Sequence, residues 1–109
     1  MKKKKTAAKI PTHFSKFMKQ YPGVGHLYSE LSDACKHAGP LDPKVAALVK
    51  LGLAVGMKQE GAVHSHTRKS LEAGASADEI RHTVVLALTT IGFPSMMAAM
   101  SWVNDILDA

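Results

Sequence analysis

Apolar residues recur at helical spacing along almost the whole chain, and strand-like alternation is absent. Phe14, Phe17, Met18 and Tyr21 predict a first helix over residues 12–20, broken by Pro22 and Gly23. Leu27, Tyr28, Leu31, Ala34 and Cys35 form one stripe of a second helix, about Val24 to His37, stopped by Gly39 and Pro40. Asp42 followed by Pro43 is a start signal, a capping side chain and then a proline suited to the first turn. The third helix carries Val45, Leu48, Val49, Leu51, Leu53 and Val55. It is apolar nearly all round after Lys50, which predicts a central helix.

A fourth helix, about Gln59 to Ala73, ends at Gly74, a residue suited to a left-handed cap. Ser76 and Glu79 predict a capping box, with Asp78 also favouring a helix start. The fifth helix carries Ile80, Val84, Ala87, Leu88 and Ile91 on one face. Gly92-Phe93-Pro94 breaks it. The sixth runs from about Ser95 to Leu107 on a stripe of Met96, Met100, Val103 and Leu107. The expectation is an all-α fold of about six helices, with one domain over residues 11–109 behind a basic, flexible tail over residues 1–10.

Charge alters the picture in one place. The formal net charge is +5, from 14 basic and 9 acidic residues. Lys2, Lys3, Lys4, Lys5 and Lys9 account for the whole excess. The remainder is formally neutral, so the basic pI marks a tail and predicts no specific nucleic-acid partner. Weak, salt-sensitive attraction to polyanions through the lysine run is the reading this leaves. From His82 to Asn104 no residue is formally charged. Gly92, Pro94 and several hydroxyl residues interrupt that stretch, so it reads as buried helix, not a membrane span. Two helices without a charge on either face point to a core shared between copies of the chain. Cys35 is the only cysteine. No intrachain disulfide forms, the apolar core of a secretory signal is missing, and a cytoplasmic setting is expected. Cys35 itself is expected to be a buried small apolar residue.

Candidate chemistry concentrates in the fourth helix. At 100° per residue His64 and His66 project about 160° apart, so they cannot share one metal ion, and no metal is expected. Glu60, His64 and Arg68 follow one another at i, i+4 along one face. His66 lies on the other, among Ala62, Val63, Ser70 and Ala73. For His66 a buried, structurally hydrogen-bonded imidazole and a general acid/base stand side by side. Glu60-His64-Arg68 reads as a solvated or bridging charge row before it reads as a proton relay.

The segment from His66 to Ala75, then Asp78-Glu79-Ile80, then Ile91-Gly92-Phe93-Pro94, resembles the carboxymuconolactone decarboxylase family, as does Leu41-Asp42-Pro43-Lys44. The resemblance covers roughly Leu31 to Leu107. It implies an alkylhydroperoxidase D-like helical fold and homo-oligomers, trimers or hexamers. In the peroxidase branch a Cys-x-x-Cys pair precedes the histidine. Those positions fall here on Gln59 and Ala62, and the helper glutamate falls near Ala47. A dithiol peroxidase needs both thiols, so that activity is disfavoured, leaving only a Cys35 route with an external thiol. The decarboxylase branch keeps the histidine without cysteines. This chain departs from it at Thr90, where an aromatic is usual, and at Ala62, where an acid is usual. The resemblance implies His66 as general acid/base, Glu60 or His64 tuning it, Arg68 on a substrate carboxylate, and Phe93, Met97 and Trp102 as apolar walls. It implies non-redox chemistry on a small carboxylated or lactone substrate with no cofactor. The alternative is an oligomeric binding protein of the same fold that has lost catalysis.

Overall fold

A computed structural model describes residues 12–109; the basic tail expected over residues 1–10 lies outside the described residues. Seven helical segments and no strand occur among them. They fall into two compact units that meet at Leu41 and Asp42 in the sequence.

The first unit pairs α1 (Thr12–Gln20) with α2 (Pro22–Lys36). Pro22 begins α2 two residues before the expected start, because proline is tolerated in a first turn. Gly25 is buried where α2 passes Met18; a Cβ there would sit 2.8 Å from the Met18 sulfur. Phe17 and Tyr21 stack with ring centroids 5.4 Å apart. The stripe expected to pack does not do so here. Leu27, Tyr28 and Leu31 are all exposed. Cys35 is exposed as well, which corrects the expectation of a buried residue. A two-helix unit has too little surface of its own to cover that face.

The second unit contains α3 (Pro43–Met57), α4 (Glu60–Glu72), α5 (Ala77–Val85), α6 (Leu88–Ile91) and α7 (Phe93–Leu107). Its ends are set by local chemistry. The Asp42 carboxylate accepts the Val45 N–H at 2.9 Å and starts α3. Lys58, at φ 59°, closes α3 in the left-handed region without being a glycine. After α4, Gly74 at φ 98° lets its own N–H reach the Leu71 carbonyl and the Ala75 N–H reach Ser70. That is the paired bonding of a Schellman cap. The capping box between Ser76 and Glu79 is present in full.

Leu51, Ala54 and Val55 of α3 meet Val63 of α4, Ile80 and Val84 of α5, and Met96, Ala99 and Val103 of α7. Thr67 and Ser70 are fully buried among them, and their hydroxyls donate to the Val63 and His66 carbonyls at 2.7 Å. That return to the helix backbone satisfies two polar groups inside an apolar core. Side-chain ties also cross the outside. Lys44 donates to Glu79 at 2.9 Å, and Arg81 donates to Asn104 and Asp108 at 2.9 Å each.

Three expectations shift. The fifth helix is not continuous, since α5 ends at Val85 and a turn at Leu86 and Ala87 precedes α6. The Ala87 N–H bonds the Val84 carbonyl, a tighter closure than an α-helix uses, in a stretch crowded with β-branched residues. The last helix starts at Phe93, because Gly92 at φ 93° makes the turn alone and Pro94 fits the first turn. Finally, α3 is buried on one side only, with Val45, Val49, Leu53 and Met57 exposed. Among the described residues no helix is long and apolar enough to cross a membrane.

Candidate functional site

The fourth helix carries the candidate residues because it lies between α3 and α7 and presents a different set to each. Val63, Thr67 and Ser70 anchor it in the core. His66 is half-buried beside this anchored face, and its carbonyl is held by the buried Ser70 hydroxyl.

Burial pushes the His66 imidazole down from 6.5 to about 4, and the positive charges of Lys69 and Lys50 push the same way. Both effects disfavour the imidazolium. At neutral pH His66 is therefore an uncharged ring in the field of two ammonium groups, one on its own helix and one on α3. No carboxylate lies within hydrogen-bond reach of this ring among the described residues. The sequence reading missed Lys50. The signal for it was available, since it is the one charged position inside α3 beyond the first turn.

Glu60 and His64 come together elsewhere. His64 Nε2 donates to Asp105 Oδ2 at 2.9 Å and lies 4.0 Å from Glu60 Oε2. Asp105, contributed by α7, was missed because nothing in the sequence ties position 105 to position 64. Arg68 does not continue this row. It is half-buried, burial lowers its pKa, and the neighbouring Glu72 opposes that shift. The tuning of His66 by Glu60 or His64 thus gains no contact here, while burial and then the charges of Lys69 and Lys50 shift it.

The three expected apolar walls separate as well. Phe93 is 59% exposed and Met97 46% exposed at the start of α7, whereas Trp102 packs against the core. A concavity of about 240 Å³ opens between α3 and the α5–α6 turn, lined by Gly52, Val55, Gly56, Thr83, Leu86, Ala87, Thr90 and Ile91. It is apolar and contains none of the residues expected at the site. Gly52 and Gly56, one turn apart on α3, leave the room for it.

Comparison with known proteins gives a consistent answer. The profile of the carboxymuconolactone decarboxylase family matches residues 22–105. A nitrosuccinic acid decarboxylase of the fungus Metarhizium robertsii is 36% identical over 72 residues, 62% of this chain and 50% of that protein. The chain therefore matches half the length of that relative. The crystal structure of a carboxymuconolactone decarboxylase family protein from Legionella pneumophila superposes with a TM-score of 0.76 at 28% identity. That match covers 89% of this chain and 87% of the other.

Proposed function

The chain belongs to the carboxymuconolactone decarboxylase family, and from its site we propose that it carries out non-redox acid/base chemistry, decarboxylation foremost, on a small organic acid. The observation that carries this reading is a half-buried His66 on α4 kept uncharged by burial and by the charges of Lys69 and Lys50. Loss of CO2 breaks the bond from the carboxylate to the neighbouring carbon and leaves the electron pair on that carbon. A proton must then be delivered to it. Lys50 and Lys69 provide the field that attracts the carboxylates, and Arg68 offers a further cation on the same helix. A bound dianion screens His66 from the two ammonium charges and raises its affinity for a proton. The ring can then take up a proton when substrate binds and release it to the carbanion. The relative from Metarhizium robertsii supports the reaction class, since its name assigns it decarboxylation of nitrosuccinic acid. An electron-withdrawing group beside the reacting carbon stabilises such a carbanion. In this reading Glu60 and His64, paired with Asp105, stand apart from proton transfer.

The test is release of CO2 from a panel of small dicarboxylic acids bearing nitro, keto or lactone groups. His66→Gln should lower kcat/KM by roughly a hundredfold or more. Equal turnover by parent and variant on every active acid would end the proposal.

A second reading, an inert binding oligomer, is favoured by one observation: His66 has no carboxylate partner among the described residues. Saturable binding of these acids without CO2 release would select it. A peroxidase remains disfavoured, with Gln59 and Ala62 at the dithiol positions. A Cys35→Ser variant that loses peroxide turnover would revive it.

Assembly belongs to the same proposal. Exposed Val49, Leu53 and Met57 on α3, Leu86 and Leu88 near α6, and Phe93 and Met97 on α7 are the surfaces that copies of the chain would cover. Phe93 and Met97 become pocket walls only in such an assembly, a trimer or hexamer.

A further inference from the structure

We propose that Glu60, His64 and Asp105 form a binding site for a divalent transition-metal cation of the zinc class, on the face of α4 turned away from His66. Their ligating atoms all lie within 4.8 Å of one another. His64 Nε2 is 2.9 Å from Asp105 Oδ2 and 4.0 Å from Glu60 Oε2. Zinc bonds of about 2.0–2.2 Å to nitrogen and oxygen place neighbouring tetrahedral donors about 3.3–3.5 Å apart. The two observed separations bracket that spacing. The third separation, between the two carboxylates, is within 4.8 Å, and torsional adjustment of these exposed side chains draws the donors to that spacing.

The donor chemistry distinguishes this cluster from an ordinary acidic surface. It combines one imidazole with two carboxylates, a set suited to zinc and its first-row neighbours, not to calcium or magnesium. Glu60 and His64 stand at i, i+4 on one helix, the spacing by which a single helix face offers two ligands. Asp105 supplies the third from the last turn of α7, the negative end of that helix's dipole. The competing cation nearby is already engaged, since Arg81 is held by Asn104 and Asp108, one position before and three after Asp105. Without metal, the His64 N–H donates to Asp105. A bound cation takes that place on Nε2, and the ring proton moves to Nδ1. His64 is 24% exposed while Glu60 and Asp105 are 59% and 55% exposed. The imidazole is thus anchored and the remaining coordination positions open to water. The cation would also clamp the start of α4 to the end of α7.

The experiment titrates the full chain with Co2+, read by its visible absorption, and with Zn2+, read by calorimetry. The expected result is one ion per chain, d–d bands of a low-coordinate cobalt site, and a higher Tm with Zn2+. His64→Gln, Asp105→Asn and the surface change Glu60→Gln should each weaken binding by roughly tenfold or more. His82→Ala, on an exposed histidine of α5, should leave it unchanged. Circular dichroism without metal checks that each variant folds, and Glu60→Gln, at the exposed start of α4, keeps the test decisive if the other two do not. Absence of saturable binding, or binding that survives Glu60→Gln undiminished, would overturn the site. Neither outcome bears on His66, because the readout is the metal and not turnover.

Discussion

His66 shows how a residue's surroundings decide what its chemistry can be. A free imidazole is half-charged near pH 6.5, whereas this one stays neutral down to about 4. Two predictions follow at this scale. Between those values the unfolded chain binds a proton that the folded chain refuses, so folding stability is full above 6.5 and declines as pH falls toward 4. Urea unfolding midpoints measured across that window should flatten in His66→Gln relative to the parent. The second concerns the bound state. If a dicarboxylate relieves the field of Lys50 and Lys69, its binding takes up protons. Calorimetry at mildly acidic pH in buffers of different ionisation heat should report that uptake, and Lys50→Gln should reduce it. Uptake equal to zero in the parent would mean that the lysines do not govern the ring.

At the scale of the element, the helix ends are the most locally determined features. Ser76→Ala removes a cap whose partner is the Glu79 N–H and should cost about 1 kcal/mol, seen as a lower Tm. The Glu79 carboxylate is held below its ordinary range first by the Ser76 backbone N–H and then by Lys44. Its contribution is therefore present above the usual carboxylate range and fades as pH falls through it. Gly74→Ala meets no atom within 4 Å, so its expected cost of about 1–2 kcal/mol is conformational, arising from φ 98°. These features were legible in the sequence because each depends on residues within one helical turn of the helix end. The break at Leu86 and Ala87 was not legible. The apolar period runs through it undisturbed, and only packing reveals that two short segments replace one helix.

For the whole molecule, the core of the second unit is one connected cluster from four helices. Leu51→Ala, at 0% exposure, should cost about 2–5 kcal/mol in urea unfolding. Outside that core lie many large apolar side chains in contact with solvent. Leu53→Glu and Met97→Glu should leave the core intact, since both side chains are exposed, and shift the chain toward monomer in analytical ultracentrifugation. A parent that is itself monomeric at micromolar concentration would refute the proposed assembly.

The sequence by itself determined the helical class, most helix boundaries and the family, because periodicity, caps and motif order are read over short distances along the chain. It also marked α4 as the helix densest in candidate polar groups. Only the tertiary structure decided which groups meet. Asp105 reaches His64 across 41 positions, and Lys50 reaches the His66 environment from another helix. Spacing along one helix could separate His64 from His66, as it did. It could not say that the first would acquire Asp105 and the second Lys50, because partners on another helix are chosen by the packing of helices and not by the order of residues.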